Sequence, residues 1–242
     1  MSHYPRPIPM TTQLKALRGA TAITGVGLFG NGERPGYTEV ELLAEAAQRA
    51  VADAGLTMQD IDGLCTASVL STMWPMPVIE YLGINPRFID GTMLGGSSFI
   101  AHLMPAMLAL QAGQCDNVLV CYGSTQRSGT MNRAAVAAAR RQMDPQPYEM
   151  PYDPVFPVSA YAMATAAHMA KFGTTRRQLA QVAVSARAWA QKNPDAFERG
   201  PLTVDDVLKA RLVASPLTVR DCCPVTDGAG ALVLQRAELL PA

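Results

Sequence analysis

The sequence predicts an α/β fold in which a mixed, mostly parallel sheet of about five strands is layered between helices. Short β-branched apolar segments alternate three times with segments whose apolar residues recur at the helical period. Strands joined in this way are connected by right-handed crossovers, which leaves few possible topologies. The alternation therefore favours one layered α/β unit over an all-helical or all-β arrangement.

The predicted strands are short apolar runs bounded by turn residues. They cover residues 20–26, 63–69, 88–93, 117–122 and 230–235. The predicted helices cover residues 39–54, 78–82, 99–112, 159–172, 175–192 and 203–210. Pro105 lies well inside the helix predicted at 99–112, so it should bend that helix or shift its start.

Capping signals fix several helix ends. Thr38 with Glu41, and Thr175 with Gln178, each have the spacing of a capping box, so each pair predicts a helix start. Glycines follow the last residue of several helices, as is common after a helix end. These glycines are Gly55, Gly113 and Gly173.

The chain is predicted to form one domain over residues 20–242, preceded by a tail at 1–19. A loop excursion at about 124–157 interrupts the domain, since five prolines break the pattern there. One helix is expected within it, near residues 134–142.

Composition excludes several classes of protein. The chain is 49% hydrophobic and 17% charged, which indicates a globular protein and not a disordered one. Its formal net charge is zero, which argues against a general nucleic-acid binder. The longest apolar run, residues 99–110, falls short of the roughly 20 residues that a membrane span needs. The polar, proline-rich start does not resemble a signal peptide.

The five cysteines contain no CxxC pair, so neither a metal site nor a thioredoxin-like couple is predicted. An odd number of scattered cysteines in a large apolar chain favours reduced thiols and a cytoplasmic location. We expect most of them to be small buried hydrophobic residues.

Gly25, Gly27 and Gly30 match the spacing of a dinucleotide-binding fingerprint after a strand. That mechanism requires a helix directly after the glycines, whereas Asn31 to Pro35 continue as a loop. The glycines are therefore predicted to serve a turn beneath the sheet.

The turn at residues 95–98 reads Gly-Gly-Ser-Ser between a strand and an apolar helix. Such a turn directs free backbone N–H groups at one point, where a thiolate, oxyanion or phosphate is stabilised. A serine there needs a positioned base, and His102 is the nearest histidine. The structural interpretation is favoured for both candidates: Ser98 as a helix N-cap and His102 as a buried histidine.

Several segments together carry a resemblance to a known family. They are residues 22–27, 45–56, 60–63, 112–113, 117–124, 161–175, 193–203 and 221–231. On these segments the chain resembles the thiolase superfamily, in particular the sterol-carrier-protein-type thiolases and thiolase-like proteins. The likeness spans nearly all of the chain past residue 20 and implies the N-terminal half of the family fold.

The chain departs from the family pattern at the nucleophile. In the family the turn after the third strand reads Cys-Ala-Ser-Gly or close to it. Alignment on the helix end at Gly113 places Gly96 at the cysteine position, followed by Ser97 and Ser98, whereas a shift of one residue places Ser97 there. Neither alignment supplies a thiol, so the resemblance implies no acyl-cysteine intermediate.

The chain also departs in length, since the family's second half carries its catalytic histidine and second cysteine. Cys222 and Cys223 belong to a segment that resembles the end of the first half, so they are interpreted as structural. The surface that would meet the second half is expected to be exposed and to promote association.

The resemblance implies a subunit that handles acyl-CoA thioesters within a larger assembly. Acyl transfer and retro-aldol carbon–carbon cleavage are its two implied chemistries, with coenzyme A thioester as substrate, no covalently bound cofactor and no metal. The alternative is a non-catalytic half-subunit that binds acyl-CoA or lipid, or completes a partner's fold.

The implied partners are a second copy, a separate second thiolase half, or a small zinc-ribbon and OB-fold subunit. Arg127, Arg133 and Arg140 are candidates for the CoA phosphates. An exposed, solvated arginine face is the alternative interpretation of these three residues.

Overall fold

The computed structural model describes residues 17–68, 71, 73–128, 150–152, 154 and 157–240. Its contacts divide the chain into two compact units, Met1–Thr130 with Asp227–Ala242 and Met131–Thr226. The first unit contains a five-stranded sheet, and the second contains helices and a two-stranded hairpin. The domain boundaries expected over residues 1–19 and 20–242 stay a prediction.

Strands and helices alternate through the first unit, as the sequence predicts. In chain order, and across both units, the strands are β1 (Thr21–Gly32), β2 (Gly63–Thr66), β3 (Phe88–Asp90), β4 (Asn117–Ser124), β5 (Leu212–Ala214), β6 (Leu217–Thr218) and β7 (Asp227–Arg236). The helices are α1 (Glu39–Asp53), α2 (Pro75–Leu82), α3 (Ser98–Ala101), α4 (Leu103–Gln111), α5 (Val158–Phe172), α6 (Arg176–Ala190) and α7 (Val204–Lys209). Short 3-10 turns lie at Met58–Asp60, Met150–Tyr152 and Ala237–Leu239.

The sheet has the order β1-β7-β4-β2-β3. β7 is antiparallel to both β1 and β4, while β2 is parallel to both β3 and β4. Four strands therefore run in one direction and β7 runs against them. The prediction of a mixed, mostly parallel five-stranded sheet is confirmed for the described residues.

Helices cover the two faces of this sheet with separate apolar cores. On one face, α1 contributes Leu43, Ala47 and Val51 to a core shared with Leu119 and Val233. On the other face, α4 contributes a second core, whose members are Ala106, Ala109 and Leu110 with Val118, Val120 and Leu234. The alternation of side chains along β4 and β7 produces this division, because neighbouring residues point to opposite faces.

The capping boxes are present as predicted. Thr38 accepts the backbone N–H of Glu41 at 3.3 Å, and the Glu41 carboxylate accepts the backbone N–H of Thr38 at 2.7 Å. Thr175 and Gln178 form the same reciprocal pair at the start of α6. Local sequence therefore determines where these helices begin.

The glycine motif of β1 has a different role from the predicted one. β1 continues through Gly25, Gly27 and Gly30 to Gly32, so these glycines lie in a strand and the predicted turn is wrong. A Cβ on Gly27 would lie 2.1 Å from the carbonyl oxygen of Ala46, and one on Gly25 would lie 2.0 Å from that of Ala50. Glycine is required here because the α1 backbone packs directly on the strand.

The helix predicted over residues 99–112 is interrupted. α3 ends at Ala101 and α4 begins at Leu103, with His102 between them. Pro105 has no N–H to donate to the carbonyl of Ala101, so the helical hydrogen bonding fails at this point. The sequence predicts a bend or a shifted start, and the structure shows an interruption at His102. None of the described helices is long and apolar enough to cross a membrane.

The second unit, among its described residues, holds α5, α6 and α7 with the β5–β6 hairpin, which the sequence did not predict. Arg176 at the start of α6 donates to both carboxylate oxygens of Asp221, at 3.2 and 2.7 Å. Asp221 also accepts from the backbone N–H of Thr218 in β6, so one carboxylate joins helix to hairpin. The helix predicted near residues 134–142 lies outside the described residues.

Candidate active site

The carboxyl ends of the parallel strands β2, β3 and β4 lie along one edge of the sheet. Ligands of open α/β sheets usually bind beyond such an edge. The segments that leave these strands carry buried polar residues, among them Ser68, Ser98, Ser124 and Thr125. This edge is therefore the candidate active site.

The turn after β3 is held by Ser98. Its hydroxyl accepts the backbone N–H of Leu94 at 2.8 Å and donates to the carbonyl of Gly95 at 2.7 Å. Ser98 is buried and is the first residue of α3, while Ser97 occupies the N-cap position. The N-cap role predicted for Ser98 is therefore wrong, since its hydroxyl bonds backwards into the turn.

Gly96 and Ser97 lie exposed on the outside of this turn. A Cβ built on Gly96 meets nothing within 4 Å. A longer side chain would fit at the position that aligns with the family nucleophile.

No thiol lies in this turn. Cys65, Cys115 and Cys121 are buried, while Cys222 and Cys223 lie in the second unit, and all five are free. Burial raises the pKa of Cys121 to about 12 and also raises that of Cys65, on the neighbouring strand. These two thiols are protonated and weakly nucleophilic near neutral pH.

His102 joins the α3–α4 junction to the segment after β3. It is buried, and its Nε2 lies 2.9 Å from the carbonyl oxygen of Thr92, to which it donates. Its Nδ1 has no hydrogen-bond partner among the described residues. His102 is therefore a buried histidine, as the sequence favours, and its Nε2 bonds a backbone carbonyl.

A second polar group at the same edge was not predicted. Glu39, the first residue of α1, is half-buried, and Ser68 just beyond β2 is close enough to influence its carboxyl. On β4, the ring of Tyr122 lies 4.6 Å from that of Phe99 between centroids. Phe99 directly follows Ser98, so this contact links the turn to Tyr122.

Two carboxylates in the first turn of α1 have opposite environments. Burial raises the pKa of Glu39 to about 7, although the hydrogen bond with Ser68 acts against this shift. Hydrogen bonds from the backbone and side chain of Thr38 lower the pKa of Glu41, which is solvent-exposed. Glu41 is thus the carboxylate that caps α1. Glu39 is partly buried and does not bond to Thr38. The sequence identifies Glu41 as a capping residue and does not single out Glu39, because the burial of Glu39 depends on tertiary contacts.

Of the three arginines predicted to bind the CoA phosphates, Arg127 lies in the described part of the chain. The Nε of Arg127 donates to Glu33 at 3.2 Å, and the backbone N–H of Arg127 donates to the buried carboxylate of Asp227 at 2.8 Å. Arg133 and Arg140 lie outside the described residues. Of this set, only Arg127 can be placed, and it is paired with a glutamate.

The second unit has an open groove with a net positive lining. Its charged residues are the cations Arg187, Lys209, Arg211 and Arg220 and the carboxylates Glu198 and Asp206. Arg187 is held by the carbonyl of Gly200 at 2.8 Å and lies 3.4 Å from Glu198. The groove suits an anionic ligand, since its cations outnumber its carboxylates.

No family model matches the chain. The chain is 33% identical to the "Steroid side-chain-cleaving aldolase" of Thermomonospora curvata over 94% of its own length and 60% of that protein. It is also 33% identical to the "17-hydroxy-3-oxo-4-pregnene-20-carboxyl-CoA lyase" of Mycobacterium tuberculosis, over 91% of this chain and 58% of that protein.

Among solved structures, the Ltp2-ChsH2(DUF35) aldolase superposes with a TM-score of 0.79 at 32% identity. That match covers 92% of this chain and 58% of the other. A monomeric SCP2-thiolase like protein from Mycobacterium smegmatis shares the fold, with a TM-score of 0.68 at 21% identity over 90% of this chain and 46% of the other.

The chain resembles thiolase-like proteins in sequence and in fold. The predicted resemblance is therefore confirmed, and it covers about nine-tenths of this thiolase-like chain. The chain spans about 60% of the length of these two curated relatives.

Proposed function

We propose that this thiolase-like chain handles acyl-CoA thioesters and cleaves a carbon–carbon bond by retro-aldol chemistry within a larger assembly. The observation that carries the proposal is the turn at residues 95–98, which has no sulfur, while every cysteine lies elsewhere. The two curated relatives support it, because their names describe an aldolase and a CoA-thioester lyase.

Retro-aldol cleavage needs no enzyme nucleophile. A base removes the proton of the β-hydroxyl of a hydroxyacyl-CoA, the bond between the α and β carbons breaks, and its electrons form an enolate on the thioester. The β-carbon becomes a ketone or aldehyde, and the α-carbon takes up a proton. Acid–base groups and N–H donors for the enolate suffice, whereas thiolase-type acyl transfer requires a thiolate.

An exposed apolar surface supports a role within an assembly. We define it as Ile23, Val26 and Leu28 of β1 with Ile100, Met104 and Leu108 of α3 and α4, all about half or more exposed. Val26 is paired with Leu232, which packs against the α4 core, so the β1 residues lie on the α4 side of the sheet. Exposed apolar side chains gathered on one side of a sheet are typical of an interaction surface.

The proposed occupant of this surface is a second thiolase half, as a separate chain or as further sequence. A second copy of the chain and a zinc-ribbon and OB-fold subunit are the other proposed partners. The Ltp2-ChsH2(DUF35) aldolase supports a two-protein assembly, since its name joins two components. We also propose a reducing, cytoplasmic location, because all five cysteines are free thiols.

Arg127, Arg133 and Arg140 remain proposed ligands of the CoA phosphates, and the groove of the second unit is another candidate. Calorimetric titration with coenzyme A distinguishes them. Affinity should fall in Arg127→Ala if the first set binds. It should fall in Arg211→Ala, and not in Arg127→Ala, if the groove binds.

The activity test uses the chain coexpressed with its partner and a CoA thioester that has a tertiary β-hydroxyl. The substrate named for the second relative is a suitable probe. Mass spectrometry should detect a ketone and a shorter acyl-CoA, while thiolysis of acetoacetyl-CoA should be absent. Thiolysis together with an acyl group on Cys65 or Cys121 would contradict the proposal.

A non-catalytic acyl-CoA carrier is the second candidate. It is favoured by the turn itself, because the Ser98 hydroxyl is engaged with Leu94 and Gly95 and His102 is bonded to Thr92. A carrier would bind acyl-CoA in calorimetry and release no product with any partner. Turnover with the partner would exclude this candidate.

A further inference from the structure

Side chains of α1 are bonded to the outer edge of β1, which is the end strand of the sheet among the described residues. In an antiparallel pair, alternate residues bond to the neighbouring strand, and those between them direct their N–H and C=O groups outwards. The backbone N–H of Val26 donates to the carboxylate of Asp53 at 2.9 Å. The carbonyl oxygen of Leu28 accepts from Nη1 of Arg49 at 3.1 Å. Two α1 side chains thus occupy backbone groups that a further strand would need for pairing.

The glycines of β1 bring α1 close enough for these bonds. A Cβ on Gly27 would lie only 3.0 Å from the Cβ of Arg49, so the helix runs directly against the strand. Asp53 follows Arg49 by four residues, which places both on one side of α1. The aspartate side chain is short and reaches the strand because Gly25 and Gly27 leave no side chain between the two elements.

A second contact fixes the guanidinium of Arg49. Its Cζ lies 4.8 Å from the centre of the Phe29 ring, an arrangement in which the cation is attracted to the aromatic face. Phe29 directly follows Leu28, so ring and carbonyl hold the guanidinium beside the same stretch of β1.

This stretch of β1 would otherwise favour pairing with another chain. The strand has 12 residues, and the side chains of Val26 and Leu28 are 51% and 71% exposed. A long apolar edge strand with free backbone groups is a template for strand addition and aggregation. Charged side chains at such an edge are a common means of preventing both.

We propose that Arg49 and Asp53 close the β1 edge to strand pairing and so direct association to the apolar side chains of the same strand. The proposed second thiolase half then contacts Val26 and Leu28 through their side chains and does not extend the sheet. The identity of that partner rests on the proposed function, whereas the closed edge is a property of this chain alone.

Hydrogen exchange followed by NMR tests the contact itself. The Val26 amide should exchange about 10-fold faster in Asp53→Ala, because its hydrogen bond to the carboxylate is lost. Asp53→Asn is the matched control, since its amide oxygen can still accept, and it should exchange nearly as slowly as wild type. Equal exchange in wild type and Asp53→Ala would overturn the inference.

Self-association tests the consequence in a parent chain whose apolar surface is blocked by Ile100→Lys and Leu108→Lys. The open-edge variant adds Arg49→Ala and Asp53→Ala to this parent. It should associate at least about 10-fold more strongly in size-exclusion chromatography with light scattering. Infrared spectroscopy should detect intermolecular β-sheet in the open-edge variant and none in the parent.

The control for lost charge adds Arg177→Ala and Asp205→Ala to the same parent. These two residues form an exposed ion pair of the same residue types in the second unit, at 3.2 Å, so this variant should associate like the parent. Equal association of the open-edge variant and this control would contradict the closed edge.

The two proposals fail separately. If the unmodified chain binds no second thiolase half and the open-edge variant still forms intermolecular β-sheet, the proposed assembly is wrong and the closed edge stands. If the second half binds and opening the edge changes neither exchange nor association, the closed edge is wrong and the assembly stands.

Discussion

The buried carboxylate of Asp227 accepts the backbone N–H of Arg34 at 2.8 Å, which joins the first residue of β7 to the segment after β1. The same carboxylate accepts the N–H of Arg127 at 2.8 Å and that of Ser128 at 3.1 Å. One side chain thus holds the loops that follow β1 and β4. Asp227 belongs to the segment at residues 221–231 that carries part of the family resemblance. Its bonds to three backbone N–H groups explain why a carboxylate is needed at this position.

We expect Asp227→Asn to lower the free energy of unfolding by about 2–3 kcal/mol, because an amide NH2 would face backbone donors in place of one oxygen. Urea unfolding measures the change. Asp205→Asn is the control, since Asp205 forms an exposed ion pair with Arg177 at 3.2 Å and should contribute less than about 1 kcal/mol. Equal losses in the two variants would contradict the structural role.

The Asp227 contribution should depend on pH. Burial opposes ionisation, but the hydrogen bonds from Arg34, Ser128 and Arg127 outweigh it and lower the pKa below 3.8. A carboxyl with a lower pKa in the folded state stabilises the protein above its unfolded pKa and loses this effect as pH falls through the folded value. The stability difference between wild type and Asp227→Asn should be constant above about pH 5 and shrink below about pH 4.

Gly27→Ala should be among the most destabilising single-methyl changes. Its Cβ would lie 2.1 Å from the Ala46 carbonyl oxygen and 2.6 Å from the Ala50 nitrogen, so α1 must move away from β1. We expect a loss of about 3 kcal/mol or more in urea unfolding. Gly96→Ala is the control, because its Cβ meets nothing within 4 Å, and it should change stability by less than about 0.5 kcal/mol.

Local interactions account for what the sequence predicts well. Thr38 and Glu41 bond to each other within one helical turn, so their spacing alone marks the start of α1. Pro105 interrupts its helix through a missing N–H, which is also a property of one residue. The order of strands and helices in the first unit follows from such local signals and from apolar periodicity.

Tertiary contacts account for what the sequence does not predict. Gly25 and Gly27 resemble turn residues until the α1 backbone is known to pack on them. The β5–β6 hairpin has strands of three and two residues, too short for a period to be recognised. Glu39 becomes distinct from Glu41 only through burial beside Ser68.

A cysteine in the turn should restore acylation if Gly96 aligns with the family nucleophile. Gly96→Cys is expected to gain one acetyl group from acetyl-CoA, because open space surrounds the new side chain. Intact-mass spectrometry measures the adduct, and iodoacetamide blocking should prevent it. Ser97→Cys is the matched variant, and labelling of Ser97→Cys alone would shift the alignment by one residue.

The apolar surface should determine how the chain associates. Ile100 is 71% exposed and Leu108 49%, so replacing both with lysine removes apolar contact area without disturbing the core. If each side chain contributes about 1.5 kcal/mol when covered, the double variant should associate about 100-fold more weakly.

Size-exclusion chromatography with light scattering should show wild-type chain associating, or bound to its partner, and the double variant shifted towards monomer at unchanged unfolding stability. Val182→Lys is the control, since Val182 is 68% exposed on α6 in the second unit and should leave association unchanged. A wild-type chain that remains a stable monomer without any partner would contradict this prediction, because half-exposed side chains on both β1 and α4 would then remain in contact with water.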